Sequence, residues 1–108
     1  MQQADVQWSD EEKQIAKAAL RRAYEQEVEA LIDSIRNNAS KISRLEEVWQ
    51  LHDFLSAKRH AIDGRYDERD DFLMFTLSSL IKDGLLTKAD LTGLTAGTQA
   101  KINLLARM

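Results

Sequence analysis

Apolar residues recur at intervals of three and four over residues 9 to about 37, a spacing that places them on one face of a long α-helix. Ser9 and Glu12 form a capping box at its start, because the serine hydroxyl accepts an early amide while the glutamate reaches back. Turn-forming residues at 37–40 end the pattern. The apolar positions of this helix are Ile15, Ala16, Ala19, Leu20, Ala23, Tyr24, Val28, Leu31, Ile32 and Ile35.

Three further helices are predicted, each bounded by a cap or a glycine. Ser43 with Glu46 is a second capping box, Asp67 caps the helix after it, and Thr95 opens the last one. Gly84 ends the third helix. The predicted ranges are 43–62, 68–82 and 95 to about 106, with a short turn at 87–91. The chain is therefore predicted to be all-α.

The composition is typical of a helical protein and excludes several classes of function. The sequence has no proline, four glycines and no cysteine, so it holds neither a disulfide nor a thiolate metal site. A formal net charge of −3 gives no electrostatic reason to bind nucleic acid and leaves at most peripheral membrane association. No apolar run approaches the roughly 20 residues of a membrane span, and the N-terminus does not resemble a signal peptide. A cytoplasmic protein is expected.

The 108 residues suffice for one folded unit with a modest core. Residues 1–8 are predicted to be a flexible leader, 9–67 a long-helix dimerisation region, and 68–108 a small helical head. About 29 helical residues span roughly 43 Å, whereas a compact domain of this size is roughly 35 Å across. The first helix must therefore extend beyond the core unless a second chain covers it.

The charge pattern of the first helix indicates that this second chain is another copy of the same protein. Three basic residues are followed at the same four-residue interval by three acidic residues, so two antiparallel copies centred on Ala23 would pair opposite charges. These pairs are Lys13 with Asp33, Lys17 with Glu29, and Arg21 with Glu25. A solvated charged face is the alternative interpretation. The pattern favours an antiparallel homodimer, with Val48 of the second helix packing in its interface.

The second helix has two contrasting faces when it is wound at about 100° per residue. One face is an ordinary apolar stripe, predicted to be core: Val48, Leu51, Phe54, Leu55 and Ile62. The other gathers a large aromatic residue and ionisable side chains within about 120°. Its members are Trp49, His52, Asp53, Ser56, Arg59 and His60. Tryptophan beside arginine is typical of a recognition surface.

A hydrolase site on this face is disfavoured, although Ser56, His52, His60 and Asp53 share it. Residues on a single helix surface make no pocket, and a nucleophile needs a base, an orienting group and oxyanion donors around one. The two histidines lie about 12 Å apart along the helix, too far to bind one metal ion unless the site is built across a dimer. Neither catalysis nor a metal site is expected.

The third helix carries Phe72, Met74 and Phe75, which cover more than one helix face. Some of this run must be core. Three large apolar residues within four positions leave one of them at or near the surface, where it is a plausible contact site.

The motif Leu-His-Asp-Phe-Leu-Ser-Ala-Lys-Arg-His-x-Ile-Asp-Gly-[Arg/Lys]-Tyr-Asp at 51–67, with Trp49 just upstream, resembles the signature of the cyanobacterial fluorescence recovery protein family. The similarity extends to Trp8-Ser9, to Gly84-Leu85 and to the tail at 101–107. It covers most of the chain, and the central motif is the specific part.

This resemblance implies an all-helical homodimer joined through long N-terminal helices, with no enzymatic activity and no cofactor. Its implied partner is the orange carotenoid protein, bound chiefly at the C-terminal domain. The family speeds the return of the light-activated red form to the orange form and promotes its release from the phycobilisome, which restores antenna fluorescence. The functional patch maps onto Trp49, His52, Asp53 and Arg59, which lie either at the contact with the partner or at the dimer seam. A contact site on the head maps onto Phe75 and Lys101.

Two other functions stay open at the level of sequence. One is a helical dimerisation or scaffold module without switching activity. The other is a small helical nucleic-acid-binding protein, which is disfavoured because 15 basic residues face 18 acidic ones.

Overall fold

A computed structural model describes residues 8–108, and its regular structure in that range is helical. The α-helices are α1 (Asp10–Ser40), α2 (Leu45–Arg65), α3 (Asp70–Lys82) and α4 (Ala96–Ala106), and a 3₁₀ turn spans Lys88–Leu91. The all-α prediction is confirmed. Most of the predicted leader, residues 1–7, lies outside the described residues, and Trp8 at its end packs against the core.

The core forms where the N-terminal half of α1 packs against α3, the 3₁₀ turn and α4. Alanine dominates the α1 side of this contact, so the helix backbones approach closely, and leucine dominates the other side. The buried apolar residues are Ala16, Ala19, Leu20, Ala23, Leu73, Met74, Leu77, Leu80, Leu86, Leu91, Leu94 and Ile102. We call residues 68–108, which pack against the N-terminal half of α1, the head.

Two glycines shape the head. Gly84 has φ +79° and ends α3, where its amide donates to the Ile81 carbonyl at 3.1 Å and the Leu85 amide donates to the Leu80 carbonyl at 2.8 Å. This pair of bonds is a Schellman motif. Gly93 has φ +105°, and a Cβ there would lie 2.8 Å from Ile15 Cδ1, so a side chain would clash with α1.

The C-terminal half of α1 and most of α2 form an arm that extends from the head. The 31 residues of α1 make the molecule 53 Å long against 27 and 22 Å in the other directions, as the predicted excess length requires. Not one residue of α2 is buried within the chain. The predicted core stripe on α2 is therefore wrong for the single chain: Val48 and Phe54 are exposed, and Leu51, Leu55 and Ile62 are only half-buried.

Two of the predicted caps are displaced. Glu47, not Glu46, accepts the amides of Ser43 and Arg44, both at 3.1 Å, so α2 begins at Leu45. Asp67 accepts the amide of Arg69 at 3.0 Å in a local turn, and α3 starts only at Asp70. The caps at Ser9 and Thr95 are confirmed, because their hydroxyls accept amides three residues later.

Candidate protein-binding surfaces

The polar face of α2 carries the four residues predicted to act together, and we call Trp49, His52, Asp53 and Arg59 the α2 patch. All four are exposed: Trp49 retains 57% of its accessible surface and the Arg59 side chain retains 86%. Helical spacing alone brings them to one side of α2, because no other element packs over them within residues 8–108. The structure therefore places the α2 patch on open surface.

Contacts within the α2 patch are weak. The Trp49 and His52 rings meet edge to face with centroids 6.4 Å apart, and His52 Nδ1 lies 3.3 Å from Asp53 Oδ1. Arg59 Nε lies 3.7 Å from Asp63 Oδ2, one helical turn further on. Exposed ion pairs of this kind contribute at most about 1 kcal/mol. These groups are therefore free to exchange their present partners for those of another molecule.

The side of α2 away from Trp49 is apolar, and it is partly exposed. Val48 retains 40% of its accessible surface, and Leu45, Phe54 and Ile32 of α1 are similarly open. A groove of about 400 Å³ on this side is lined by residues that include Ile42, Leu51 and Phe54. We call this side, defined by Val48 and Phe54 of α2 together with Ile32 of α1, the apolar arm face; Leu45 lies one turn before Trp49, on the side of the α2 patch. Exposed apolar residues of this size favour coverage by another chain.

The head divides the aromatic run of α3 between core and surface. Met74 is fully buried, whereas Phe72 and Phe75 are exposed, and Phe75 retains 40% of its accessible surface. The Arg69 guanidinium lies 4.3 Å from the centre of the Phe72 ring. Lys101 is exposed on α4, which packs against α3. Phe75 and Lys101 thus both stand on the surface of the head.

Lys13, the first residue of the α1 charge row, has an ion-pair partner within its own chain. Lys13 Nζ lies 2.9 Å from Asp70 Oδ2 of the same chain, and this ion pair raises the lysine pKa. Ala23, the predicted centre of self-pairing, is buried under the head. The N-terminal half of α1 is therefore occupied by its own chain, and the proposed Lys13–Asp33 pair would have to replace an existing one.

An ionic cluster at the middle of α1 was not predicted from the sequence. Glu27 keeps only 4% of its accessible surface and accepts from Tyr66 Oη at 2.6 Å, Arg65 Nη1 at 2.5 Å and Lys58 Nζ at 3.1 Å. Burial raises the pKa of Glu27, but the bonds from Tyr66, Lys58 and Arg65 outweigh it and hold the pKa below its usual value. The one sequence feature that indicates this cluster is the position of Glu27, four residues after Ala23 and so on the same side of α1 as the alanines of the apolar stripe.

Tyr66 completes this cluster. Its ring meets Tyr24 of α1 edge to face at 5.3 Å. Burial, together with the Glu27 carboxylate, raises the pKa of Tyr66 well above its usual value, so the phenol stays a donor. We call Glu27, Lys58, Arg65 and Tyr66 the Glu27 cluster.

Within the part of the chain that the structure describes, no group of three or more histidine and carboxylate residues could hold a metal ion. Over the same residues, no helix is both long enough and apolar enough to cross a bilayer. The candidate sites are thus exposed helical surfaces, which defines this molecule as an all-helical protein with open faces on an arm and on a head.

Comparison with known proteins gives the family. Residues 8–106 match the family model described as "Photoprotection regulator fluorescence recovery protein". The chain is 44% identical over 108 residues to the fluorescence recovery protein of Synechocystis sp., covering 100% of this chain and 99% of that one. The chain belongs to the fluorescence recovery protein family.

Solved structures show the same fold. The fluorescence recovery protein of Fremyella diplosiphon superimposes with a TM-score of 0.91 at 50% identity, covering 94% of this chain and 100% of that one. The protein from Synechocystis sp. superimposes with a TM-score of 0.90 at 45% identity and the same coverage. The all-helical architecture is therefore that of the family, and the family assignment made from residues 51–67 is confirmed.

Proposed function

We propose that this protein is a non-enzymatic regulator of cyanobacterial photoprotection that acts on the orange carotenoid protein. It binds the photoactivated form, accelerates its reversion to the resting orange form and promotes its release from the phycobilisome. The observation that carries this proposal is the family match over residues 8–106. The proposed place of action is the cytosol, beside thylakoid-attached phycobilisomes.

The exposed surfaces support binding as the mode of action. The α2 patch offers an aromatic residue and an arginine on open surface, the residue types that dominate binding energy in protein interfaces. On the head, Phe75 offers apolar area and Lys101 a positive charge, and we propose that they contact the C-terminal domain of the carotenoid protein. Neither surface needs a cofactor.

Acceleration without covalent chemistry requires differential binding. The regulator must bind the carotenoid protein more tightly at the transition state for re-docking of its two domains than in the red state. A rigid helical scaffold achieves this by holding the two domains near each other, which raises their effective concentration. An arm and a head that present separate contact surfaces suit this role.

The apolar arm face supports a homodimer. Exposed Val48, Phe54 and Ile32 are best explained by a second copy that covers them, because the chain itself leaves α2 without a buried residue. The C-terminal half of α1 together with α2 would then form the interface, and Val48 would pack within it. The head would remain free on each copy.

Dark recovery of the carotenoid protein tests the proposed function. The purified protein is mixed with photoactivated orange carotenoid protein, and absorbance reports the return of the orange form with and without it. Faster recovery supports the proposal. The alternative, a helical dimerisation module without switching activity, predicts a dimer that leaves the recovery rate unchanged.

A further inference from the structure

We infer that Glu27 is a positioning residue that fixes the rotation of α2 about its own axis and so aims the α2 patch outward. The inference draws on the Glu27 cluster, which ties the middle of α1 to the C-terminal third of α2. Only its consequence for carotenoid-protein recovery rests on the proposed function.

The first step is that apolar packing within the chain constrains the rotation of α2 only weakly. Because α2 has no buried residue, no apolar side chain of this helix is locked in the core of the chain. The half-buried Leu51 and Leu55 leave the helix surface partly open to solvent. Within the chain, specific polar contacts are therefore expected to dominate the angle of α2 about its own axis.

The second step is that the Glu27 cluster supplies such contacts at two levels of the helix. Lys58 and Arg65 are seven residues apart, so they project from the same side of α2 two turns apart. Both reach the same Glu27 oxygen, Oε2, and Tyr66 just past the helix end takes Oε1. Three donors on one fixed acceptor resist rotation of the helix better than a single pair would.

The third step concerns the direction in which the α2 patch faces. With the Lys58 side of α2 turned towards Glu27, helical geometry places Arg59 about 100° away, and Trp49 about 180° away. Accordingly, Lys58 is half-buried while Trp49 and Arg59 are exposed. The side of α2 that binds Glu27 is therefore opposite to the side that carries the patch.

The cluster also connects to the head. Arg65 Nη2 lies 4.0 Å from Asp83 Oδ2, at the C-terminal cap of α3, and Tyr66 packs against the core. These contacts fix the orientation of α2 relative to the head as well as relative to α1. One buried carboxylate sets the relative placement of the α2 patch and the head surface.

A matched pair of variants tests the inference. Glu27→Gln removes the negative charge that gathers two cations, while its amide oxygen can still accept from Tyr66. Glu12→Gln is the control, because Glu12 is the other buried carboxylate of α1 and its carboxylate instead accepts the Thr95 amide of the head at 3.1 Å. Both changes remove one buried charge from the same helix.

Amide hydrogen exchange of the full-length protein distinguishes positioning from general stability. Glu27→Gln should speed exchange at residues 58–66 by at least about tenfold, which corresponds to 1.4 kcal/mol, and leave 96–106 unchanged. Glu12→Gln should speed exchange at 96–106 and leave exchange at 58–66 unchanged. Unchanged exchange at 58–66 in Glu27→Gln, or equal acceleration in both regions, overturns the inference.

Should Glu27→Gln fail to fold, Tyr66→Phe and Lys58→Met carry the test, because each removes one donor and leaves Arg65 on the carboxylate. Each should accelerate exchange at 58–66 alone, and no effect there from either would overturn the inference. Recovery assays on the same proteins then report function separately. If the unmodified protein fails to accelerate recovery, the proposed function fails, while the exchange result still decides the role of Glu27.

Discussion

The Glu12 carboxylate on the first turn of α1 accepts the backbone amide of Thr95, the residue that caps α4, at 3.1 Å. This bond joins the two ends of the described chain. The amide of Thr95 lowers the pKa of Glu12, although burial acts against it. A residue expected to cap its own helix thus serves a second helix as well.

Glu12→Gln should lower the free energy of unfolding by about 1–2 kcal/mol, because a charge-assisted hydrogen bond becomes a neutral one. Thermal unfolding followed by circular dichroism measures the change. Glu11→Gln is the matched control, since the neighbouring Glu11 is exposed and carries the same charge. If both variants unfold at the same temperature, the Glu12–Thr95 bond contributes nothing to stability.

Acid should destabilise the protein through its two buried glutamates. Glu12 and Glu27 both have a lowered pKa in the folded state, so their contribution is present above the usual glutamate pKa of about 4.3 and is lost as pH falls through the lowered values. Unfolding temperatures measured from pH 7 down to pH 3 should fall mainly below about pH 4.5. The fall should be shallower in Glu27→Gln, and a fall of equal depth would contradict this assignment.

High pH should destabilise the folded protein through ionisation of Tyr66. Its pKa is raised in the folded state, so its contribution is complete below the usual tyrosine pKa of about 10 and is lost as pH rises beyond that value. Unfolding temperatures of the parent should therefore fall above about pH 10. Tyr66→Phe, which cannot ionise, should reduce this alkaline loss, and an unchanged alkaline profile would count against the Glu27–Tyr66 bond.

Periodicity and caps predicted the helices well, and the errors have local causes. Asp67 has the right chemistry for a cap, but it binds both the amide and the guanidinium of Arg69 in a turn that competes with helix formation. Glu46 and Glu47 are adjacent acceptors, and the sequence does not distinguish which one takes the free amides. Such choices shift a boundary by one or two residues without changing the fold.

The larger errors of prediction from sequence concern which chain buries an apolar helix face. Periodicity predicts that the apolar stripe on α2 is core, but it shows only that a face is apolar, not whether its own chain or another buries it. The role of Glu27 cannot be predicted from periodicity, because its three partners lie more than thirty residues away along the chain. In contrast, the α2 patch lies on one helix, so helical spacing alone located it.

Val48→Glu should convert the proposed dimer to monomers, because the interface would bury an unpaired charge at a cost of about 3 kcal/mol, more than a hundredfold in Kd. Val48 is exposed in the single chain, so the monomer should keep its helix content. Light scattering with size-exclusion chromatography measures the oligomeric state. Ser56→Glu, the same charge on the polar side of α2, should remain dimeric. A stable monomer for the unmodified protein at micromolar concentration would reject the dimer.

Arg59→Leu should slow dark recovery of the carotenoid protein by at least about tenfold, since a truncated interface arginine commonly costs more than 1.4 kcal/mol. Helix content should be unchanged, because Arg59 makes one exposed contact, with Asp63. Arg22→Leu is the matched control, because Arg22 is exposed on the N-terminal half of α1, outside the proposed dimer interface, and also makes one exposed ion pair, with Asp90. Full recovery activity in Arg59→Leu, or an equal loss in Arg22→Leu, would remove Arg59 from the α2 patch.

Phe75 and Lys101 should affect partner binding in different ways. Phe75→Ser should raise the dissociation rate, because it removes aromatic area worth roughly 1.5–3 kcal/mol when buried in a complex. Lys101→Glu should mainly lower the association rate, as expected of a charge at the rim of an interface. Surface plasmon resonance with immobilised carotenoid protein, photoactivated in place, measures both rates.

Thermal unfolding provides the control for Phe75. Because Phe75 is partly exposed, Phe75→Ser should cost less stability than Leu77→Ala, which creates a cavity in the fully buried core at a cost of about 2–5 kcal/mol. Phe72→Ser makes the same chemical change one turn earlier, beneath Arg69, and it reports whether the contact extends along α3. A Phe75→Ser protein that unfolds as readily as Leu77→Ala would assign Phe75 to the core. One that unfolds like the parent and dissociates faster from the carotenoid protein supports a contact on the head.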